Sequence, residues 1–290
     1  MNIKSKVKHV ISFLLHGEPK QVTANVVSLN PSELLKNRCA LITGGTSGIG
    51  YAIAESFLKA GMSAVVITGR NQLKIDETCS KLSKYRGACL GFVMDNTKID
   101  TFASTFDKMQ NALKEKGLGQ IDVLVNNAGV LGAVLPNADE ATYDAVLDTN
   151  LKGVFFLSQL IGKYFKENNI KGNILNIASS SSLRPAQSAY TISKWGIRGL
   201  TLGLAKCLAP YGITVNGVAP GPTATPMLKR DGDKNLVHEG IPLGRFVMPE
   251  EIANMAVFLV SDMGHSILGD IVYMTGGAGV LGFDDMAYNF

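Results

Sequence analysis

From Cys39 onward the chain alternates two hydrophobic rhythms: short, almost unbroken apolar runs, and longer stretches in which apolar positions return every third or fourth residue. The first rhythm suits strands buried on both faces and the second suits amphipathic helices, because side chains alternate across a strand but share a helix face at i+3 and i+4. Strands are expected at Cys39 to Thr43, Ala64 to Thr68, Cys89 to Met94, Val123 to Asn126, Asn173 to Ile177, Thr214 to Val218 and Ile271 to Met274. Helices are expected near 48–60, 72–84, 100–115, 138–168, 188–209 and 249–261. Strand and helix in strict alternation is the pattern of parallel β/α units. Seven such strands predict an α/β fold: a doubly wound, seven-stranded parallel sheet with helices on both faces and ligands outside the strands' carboxyl ends.

Residues 1–33 stand apart as an N-terminal extension, while residues 34–290 read as a single domain without repeats or low-complexity tracts. In the extension, Val7, Val10, Ile11, Leu14 and Leu15 fall at helical spacing with lysines mostly opposite, and Gly17 and Pro19 supply stop signals. An amphipathic helix is expected there, docked on the protein's own body or on a sister subunit; contact with a membrane surface is the less favoured alternative. With no secretory signal and no apolar run near the roughly 18 residues of a spanning helix, a cytoplasmic protein is expected.

Composition adds exclusions. Apolar residues at 46% and charged residues at 18% are ordinary for a packed interior. The net charge is +4, but Lys4, Lys6, Lys8 and Lys20 against Glu18 account for +3 of it, leaving a nearly neutral body without the basic stripe of a nucleic-acid binder. Cys39, Cys79, Cys89 and Cys207 lack metal-ligand spacing and read as small buried hydrophobes in a reducing compartment rather than a disulfide framework. His9, His16, His238 and His265 are equally scattered, so no metal site is expected.

Two segments carry chemistry. The first strand runs into Gly44-Gly45-Thr46-Ser47-Gly48-Ile49-Gly50 and then into a helical pattern. Glycines there let backbone N–H groups approach a pyrophosphate, with the helix dipole behind them, so Gly44, Thr46, Ser47, Gly48, Ile49 and Gly50 are candidate dinucleotide contacts. Further on, Tyr190 and Lys194 sit four residues apart on one predicted helix, downstream of a serine run from Ser179 to Ser182. Positions i and i+4 share a face, so the ammonium can favour the phenolate and bring the phenol toward neutrality as an acid/base.

Thr43-Gly44 with Gly48 and Gly50, then Asn126-Asn127-Ala128-Gly129, Asn150, Tyr190 with Lys194, and Pro220-Gly221-Pro222-Thr223-Ala224-Thr225 occur in that order. Together, over about residues 34 to 279, they resemble the short-chain dehydrogenase/reductase family, which has a Rossmann-type fold. The resemblance implies that Tyr190 is the general acid/base and that Lys194 lowers its pKa while binding the nicotinamide ribose. It further implies that Asn150 holds a water linking the lysine to solvent, and that Ser179 hydrogen-bonds the substrate oxygen. Asn127, Ala128 and Gly129 would pack by the adenosine ribose, Asp95 would contact the adenine amine with Asn96 beside it, and Pro220, Gly221, Thr223 and Thr225 would meet the cofactor. Ser179 lies about two residues closer to Tyr190 than the family interval, so the loop between must be tighter; Ser180 and Ser181 are the fallbacks. Thr275 stands where many relatives carry aspartate and reads as scaffold.

Cofactor choice is read at the end of the second strand, where an acidic residue takes the ribose hydroxyls of NAD and a basic one the phosphate of NADP. The tip here reads Thr68-Gly69-Arg70-Asn71, so Arg70 points to NADP over NAD. Residues 226–243 would form a lid, and Val130, Leu131, Val134, Leu135, Leu183 and Met227 a partly apolar pocket. A 3-oxoacyl thioester, a ketone or a sugar derivative would suit it, reduced or oxidised at a carbonyl/alcohol carbon. The resemblance also implies a homo-dimer or homo-tetramer. The rival reading is a non-catalytic NADP sensor, which would need the glycine turn but not Asn150, Tyr190 and Lys194.

Overall fold

The computed structural model describes residues 33–230 and 235–286; the expected N-terminal helix lies outside them. The elements follow as β1 (Cys39–Ile42), α1 (Gly48–Lys59), β2 (Ala64–Gly69), α2 (Gln72–Leu82), β3 (Ala88–Val93), α3 (Phe102–Glu115), β4 (Val123–Asn126), α4 (Glu140–Leu147), α5 (Gly153–Glu167), β5 (Asn173–Ile177), α6 (Ala189–Leu208), β6 (Thr214–Pro220), α7 (Pro249–Val260) and β7 (Ile271–Met274). The strands form one parallel sheet in the order β3-β2-β1-β4-β5-β6-β7. The order reverses between β1 and β4, which opens a crevice at their carboxyl ends.

The apolar runs are buried on both sides of the sheet, and alternation divides them. Ala40, Ile42, Val65, Ile67, Val123 and Val125 face α1 and α7, packing on Ile53, Phe57, Ile252 and Val257. Leu41, Val66, Leu124, Ile174 and Val215 face the other layer, against Phe106, Met109 and Leu113 of α3 and Leu157, Ile161 and Phe165 of α5. Among the described residues no helix is long and apolar enough to cross a membrane.

The structure divides the helix expected over 138–168. Between α4 and α5, Asp148–Lys152 forms a π-turn, and Gly153 follows it pressed on the main chain of Asn96, where a Cβ would sit 2.3 Å from the carbonyl oxygen. The extra residue in the turn aims Asn150 inward, a common use of π-bulges. The four cysteines are free thiols and Cys39 is buried, as expected, but Cys207 is exposed and Cys79 on α2 and Cys89 on β3 are only half-buried, their Sγ atoms 3.3 Å apart.

Candidate active site

A cavity of about 830 Å³ lies outside the carboxyl ends of the central strands, with the glycine turn at one end and Tyr190 at the other. Gly44 and Gly48 have φ of +65° and +54°, the left-handed region where a side chain is strained. Gly44, Thr46, Ser47, Gly48 and Ile49 line the cavity at the N-terminus of α1, where unpaired amides and the dipole favour an anion.

The turn is latched from beneath by the segment after β4. Thr43 Oγ1 accepts from Asn127 N at 3.0 Å and Ala128 N at 3.1 Å, while Asn127 Nδ2 donates to Thr43 O at 2.9 Å and Gly44 O at 3.1 Å. Gly50 does not reach the cavity: a Cβ there would lie 2.4 Å from both Asn127 Nδ2 and Gly44 O, so its role is close packing under the latch.

Arg70 is exposed at the cavity wall beyond β2, with Asp95 and Asn96 beside it. Asp95 Oδ1 accepts from Thr97 N and Thr97 Oγ1, both at 2.9 Å. Asn96 is buried, and its Nδ2 has no partner among the described residues. An orphaned buried donor is costly unless a ligand or water meets it. Together with the glycine cradle and the basic mouth, it fits a dinucleotide.

At the other end, Ser188 caps α6 by accepting from Thr191 N at 3.2 Å, which sets Tyr190 in the first helical turn. The Ser179 hydroxyl favours the ionised form of the Tyr190 phenol, and in a second polar contact its Oγ accepts a hydrogen bond from Ser181 N at 3.1 Å. That second bond starts the 3-10 turn Ser180–Leu183, which takes up the shortened loop. Lys194 is buried, its Nζ donating to Ile177 O at 2.8 Å and lying 5.6 Å from the Tyr190 ring centre. Burial lowers the lysine to a pKa of about 8. Burial pushes the phenol up, with the Ser179 side chain opposing it. The expected lowering by Lys194 is therefore not seen in this geometry: the ammonium is turned to the Ile177 carbonyl, and burial is the larger influence on the phenol.

Asn150 does not line the cavity. Its Oδ1 accepts from Val130 N at 2.8 Å, and its Nδ2 donates to Val130 O at 2.9 Å and to Ser193 Oγ at 3.3 Å. The side chain thus ties the loop after β4 to the helix of Tyr190. Pro220, Gly221, Thr223 and Thr225 do line the cavity, and Thr225 reaches over the glycine turn to within 3.4 Å of a Cβ built on Gly48. Thr275 is buried behind them, where a Cβ on Gly221 would meet its Cα at 2.7 Å.

The wall beyond Tyr190 includes the expected Val130, Leu131, Val134 and Met227, but not Leu135 or Leu183. It also includes His238, Phe246, Asp285 and Met286, which belong to no motif and which nothing in the local sequence marks. Among the described residues, no group of three or more His, Cys, Asp or Glu is placed to hold a metal ion.

Comparison with known proteins agrees with this arrangement. The family model described as enoyl-(acyl carrier protein) reductase matches residues 44–279. The chain belongs to the short-chain dehydrogenase/reductase family. It is 38% identical over 252 residues to a 3alpha-hydroxysteroid dehydrogenase of Mediterraneibacter gnavus, covering 84% of this chain and 98% of that one. It is 37% identical over 250 residues to a 3-oxoacyl-[acyl-carrier-protein] reductase of Thermotoga maritima, with the same two coverages, 84% and 98%. Among solved structures, a Brucella melitensis 3-ketoacyl-(acyl-carrier-protein) reductase complexed with NADH superposes with a TM-score of 0.74 at 30% identity, covering 84% of this chain and 98% of its own. An Agrobacterium tumefaciens structure with bound NADP, provisionally assigned as a 2-deoxy-D-gluconate 3-dehydrogenase, gives 0.73 at 35%, covering 86% and 98%. This short-chain dehydrogenase/reductase is thus an oxidoreductase by family.

Proposed function

We propose that the protein is an NADP-dependent oxidoreductase acting on a carbonyl/alcohol carbon of a small, partly apolar substrate. One observation carries the reading: Ser179, Tyr190 and Lys194 line the same cavity as the glycine turn, with the Lys194 ammonium 5.6 Å from the Tyr190 ring centre. Gly44, Thr46, Ser47, Gly48 and Ile49 would hold the pyrophosphate, Arg70 the 2′-phosphate, and Asp95 with Asn96 the adenine. Asn127 to Gly129 would pack by the adenosine ribose, Lys194 would hold the nicotinamide ribose, and Pro220, Gly221, Thr223 and Thr225 would close over the remainder. When bound, the nicotinamide supplies the hydride for reduction or accepts it in oxidation.

The chain's residues do the rest. Ser179 and Tyr190 give the substrate oxygen two hydrogen bonds where negative charge develops. A phenol that holds its proton through neutrality is an acid, so in reduction Tyr190 passes that proton to the oxygen as it becomes an alcohol. Asn150 keeps the loop carrying Val130 in register with Tyr190. The names of the relatives span steroid, acyl-carrier and sugar-acid substrates, and the apolar wall of Leu131, Val134, Met227 and Phe246 favours 3-oxoacyl and ketone substrates over sugars. Residues 226–243 would serve as the lid. Exposed Phe155, Phe156, Ile192 and Trp195 on α5 and α6 support assembly into a dimer or tetramer.

The test is NADPH oxidation over 3-oxoacyl thioesters, steroid ketones and keto sugars. Tyr190→Phe is expected to abolish turnover with NADPH affinity unchanged, measured by nucleotide fluorescence. Tight NADPH binding with no turnover on any class would instead make the protein a nucleotide sensor.

A further inference from the structure

We infer that the C-terminal tail of this chain is a wall of the substrate site, positioned by a buried ion pair between Arg184 and Asp285, and that Met286 beside that pair selects substrate size. The inference rests on the oxidoreductase reading above. Arg184 follows the serine turn directly and is 1% exposed, the largest fully buried side chain among the described residues. A buried guanidinium is tolerated only when paired. Its Nη2 donates to Asp285 Oδ2 at 2.7 Å, and the side chain of Asp285 is equally buried.

The pair is fastened to the catalytic end. Trp195 Nε1 donates to Arg184 O at 2.9 Å, fixing that main chain to the helix of Tyr190 and Lys194. The Phe283 ring lies 5.7 Å from the guanidinium carbon, within cation–π range. Gly279 leaves the guanidinium room, since a Cβ there would sit 2.8 Å from Arg184 Nε. The tail is fastened on its other side as well: a Cβ on Gly240 would lie 2.6 Å from Asp284 O and 2.9 Å from Asp285 Cα, so the segment after β6 rests on the tail backbone.

Asp285 and Met286 then line the cavity. The pair is not built for stability alone. Arg184 Nε and Nη1 and Asp285 Oδ1 are buried without partners among the described residues, and an incompletely satisfied buried pair is often less stable than an apolar replacement. Its effect is geometric: it joins the serine turn, the tail and the segment after β6 into one wall. Arg184 is a positioning residue, and Asp285 and Met286 set which substrates fit.

The experiment compares wild type, Asp285→Asn, Met286→Ala and Met286→Trp on short and long ethyl 3-oxoalkanoates with NADPH, alongside amide hydrogen exchange. In Asp285→Asn, KM is expected to rise about tenfold or more while kcat and NADPH affinity stay within about twofold, the mark of lost substrate binding alone. Exchange protection is expected to fall at Gly279, Leu281 and Met286, whose amides are bonded within the tail, and across 235–247. Met286 is 37% exposed, so its variants should fold even where Asp285→Asn does not. Alanine is expected to lower, and tryptophan to raise, KM for the long ester relative to the short one. Unchanged KM ratios in both Met286 variants would overturn the wall. Unchanged exchange in Asp285→Asn, or a loss of NADPH affinity with KM constant, would overturn the positioning role. If wild type turns over no ester, the oxidoreductase reading fails on that panel, while the exchange result still decides whether the pair holds the tail.

Discussion

Lys194 sets burial against charge. Its ordinary pKa of 10.5 falls to about 8 in the fold because the ammonium is desolvated. Between those values the unfolded chain keeps the proton and the folded chain gives it up, so unfolding takes up a proton and stability rises with pH. At pH 7 both states are protonated, and the buried charge costs its full desolvation. Relative to Lys194→Met, wild type should therefore gain stability as pH rises from about 8 toward 10, by up to a few kcal/mol at the ordinary 1.4 kcal/mol per unit. Urea unfolding of both proteins at pH 7 and pH 9.5 checks this; a constant gap would mean the lysine titrates normally. Ser179→Ala tests the hydroxyl beside the phenol and should lower kcat about a hundredfold with nucleotide affinity unchanged, measured in steady state. The Tyr190–Lys194 pair was legible in sequence because i and i+4 share a helix face. The raised phenol was not, because its cause is burial, which a spacing does not report. Cys79 and Cys89 were illegible for a related reason: their contact exists only once α2 packs on β3.

Strands and most helices were readable from sequence because a strand buried on both faces admits little but apolar residues, and an amphipathic helix declares its period. The division of the helix expected over 138–168 was not readable, since its π-turn depends on Asn150 meeting Val130, a contact across a loop. The glycines separate in the same way. In sequence Gly44, Gly48 and Gly50 form one motif, but Gly50 faces backbone rather than cavity. Gly50→Ala places a methyl 2.4 Å from the Gly44 carbonyl, which no side-chain rotation can relieve. It is expected to cost about 1–3 kcal/mol, the range for overpacking, and to weaken NADPH binding by shifting the turn. Gly203 in α6 is exposed with nothing within 4 Å of a built Cβ, so Gly203→Ala should stabilise by up to about 1 kcal/mol through helix propensity. Thermal unfolding of the two variants should move in opposite directions, and a tolerated Gly50→Ala would remove the close-packing argument.

On the scale of the whole molecule, the strand order places the crevice where chain direction around the sheet reverses, and only its place outside the strands' carboxyl ends, not the strand order, was predictable from a doubly wound sheet. What closes the crevice was not: Arg184 and Asp285 are 101 residues apart, and a pairing at that distance leaves no periodic trace. The same architecture gives nucleotide binding a global readout, because a ligand held between β1 and β4 stabilises only the folded sheet. At a hundred times its dissociation constant, a nucleotide adds about 2.7 kcal/mol. For a chain of this size each kcal/mol is worth about 2–4 °C, so NADPH should raise the melting temperature by about 5–10 °C. A charge-assisted contact from Arg70 to the 2′-phosphate would be worth about 1.5–3 kcal/mol, so NADH at the same concentration should give a clearly smaller shift. Arg70→Ala should bring the NADPH shift down to that of NADH while leaving the NADH shift unchanged. Equal shifts for the two nucleotides in wild type would move Arg70 out of the site and return the choice to NAD; a larger NADPH shift that survives Arg70→Ala would place the phosphate on another residue of the β2–β3 rim.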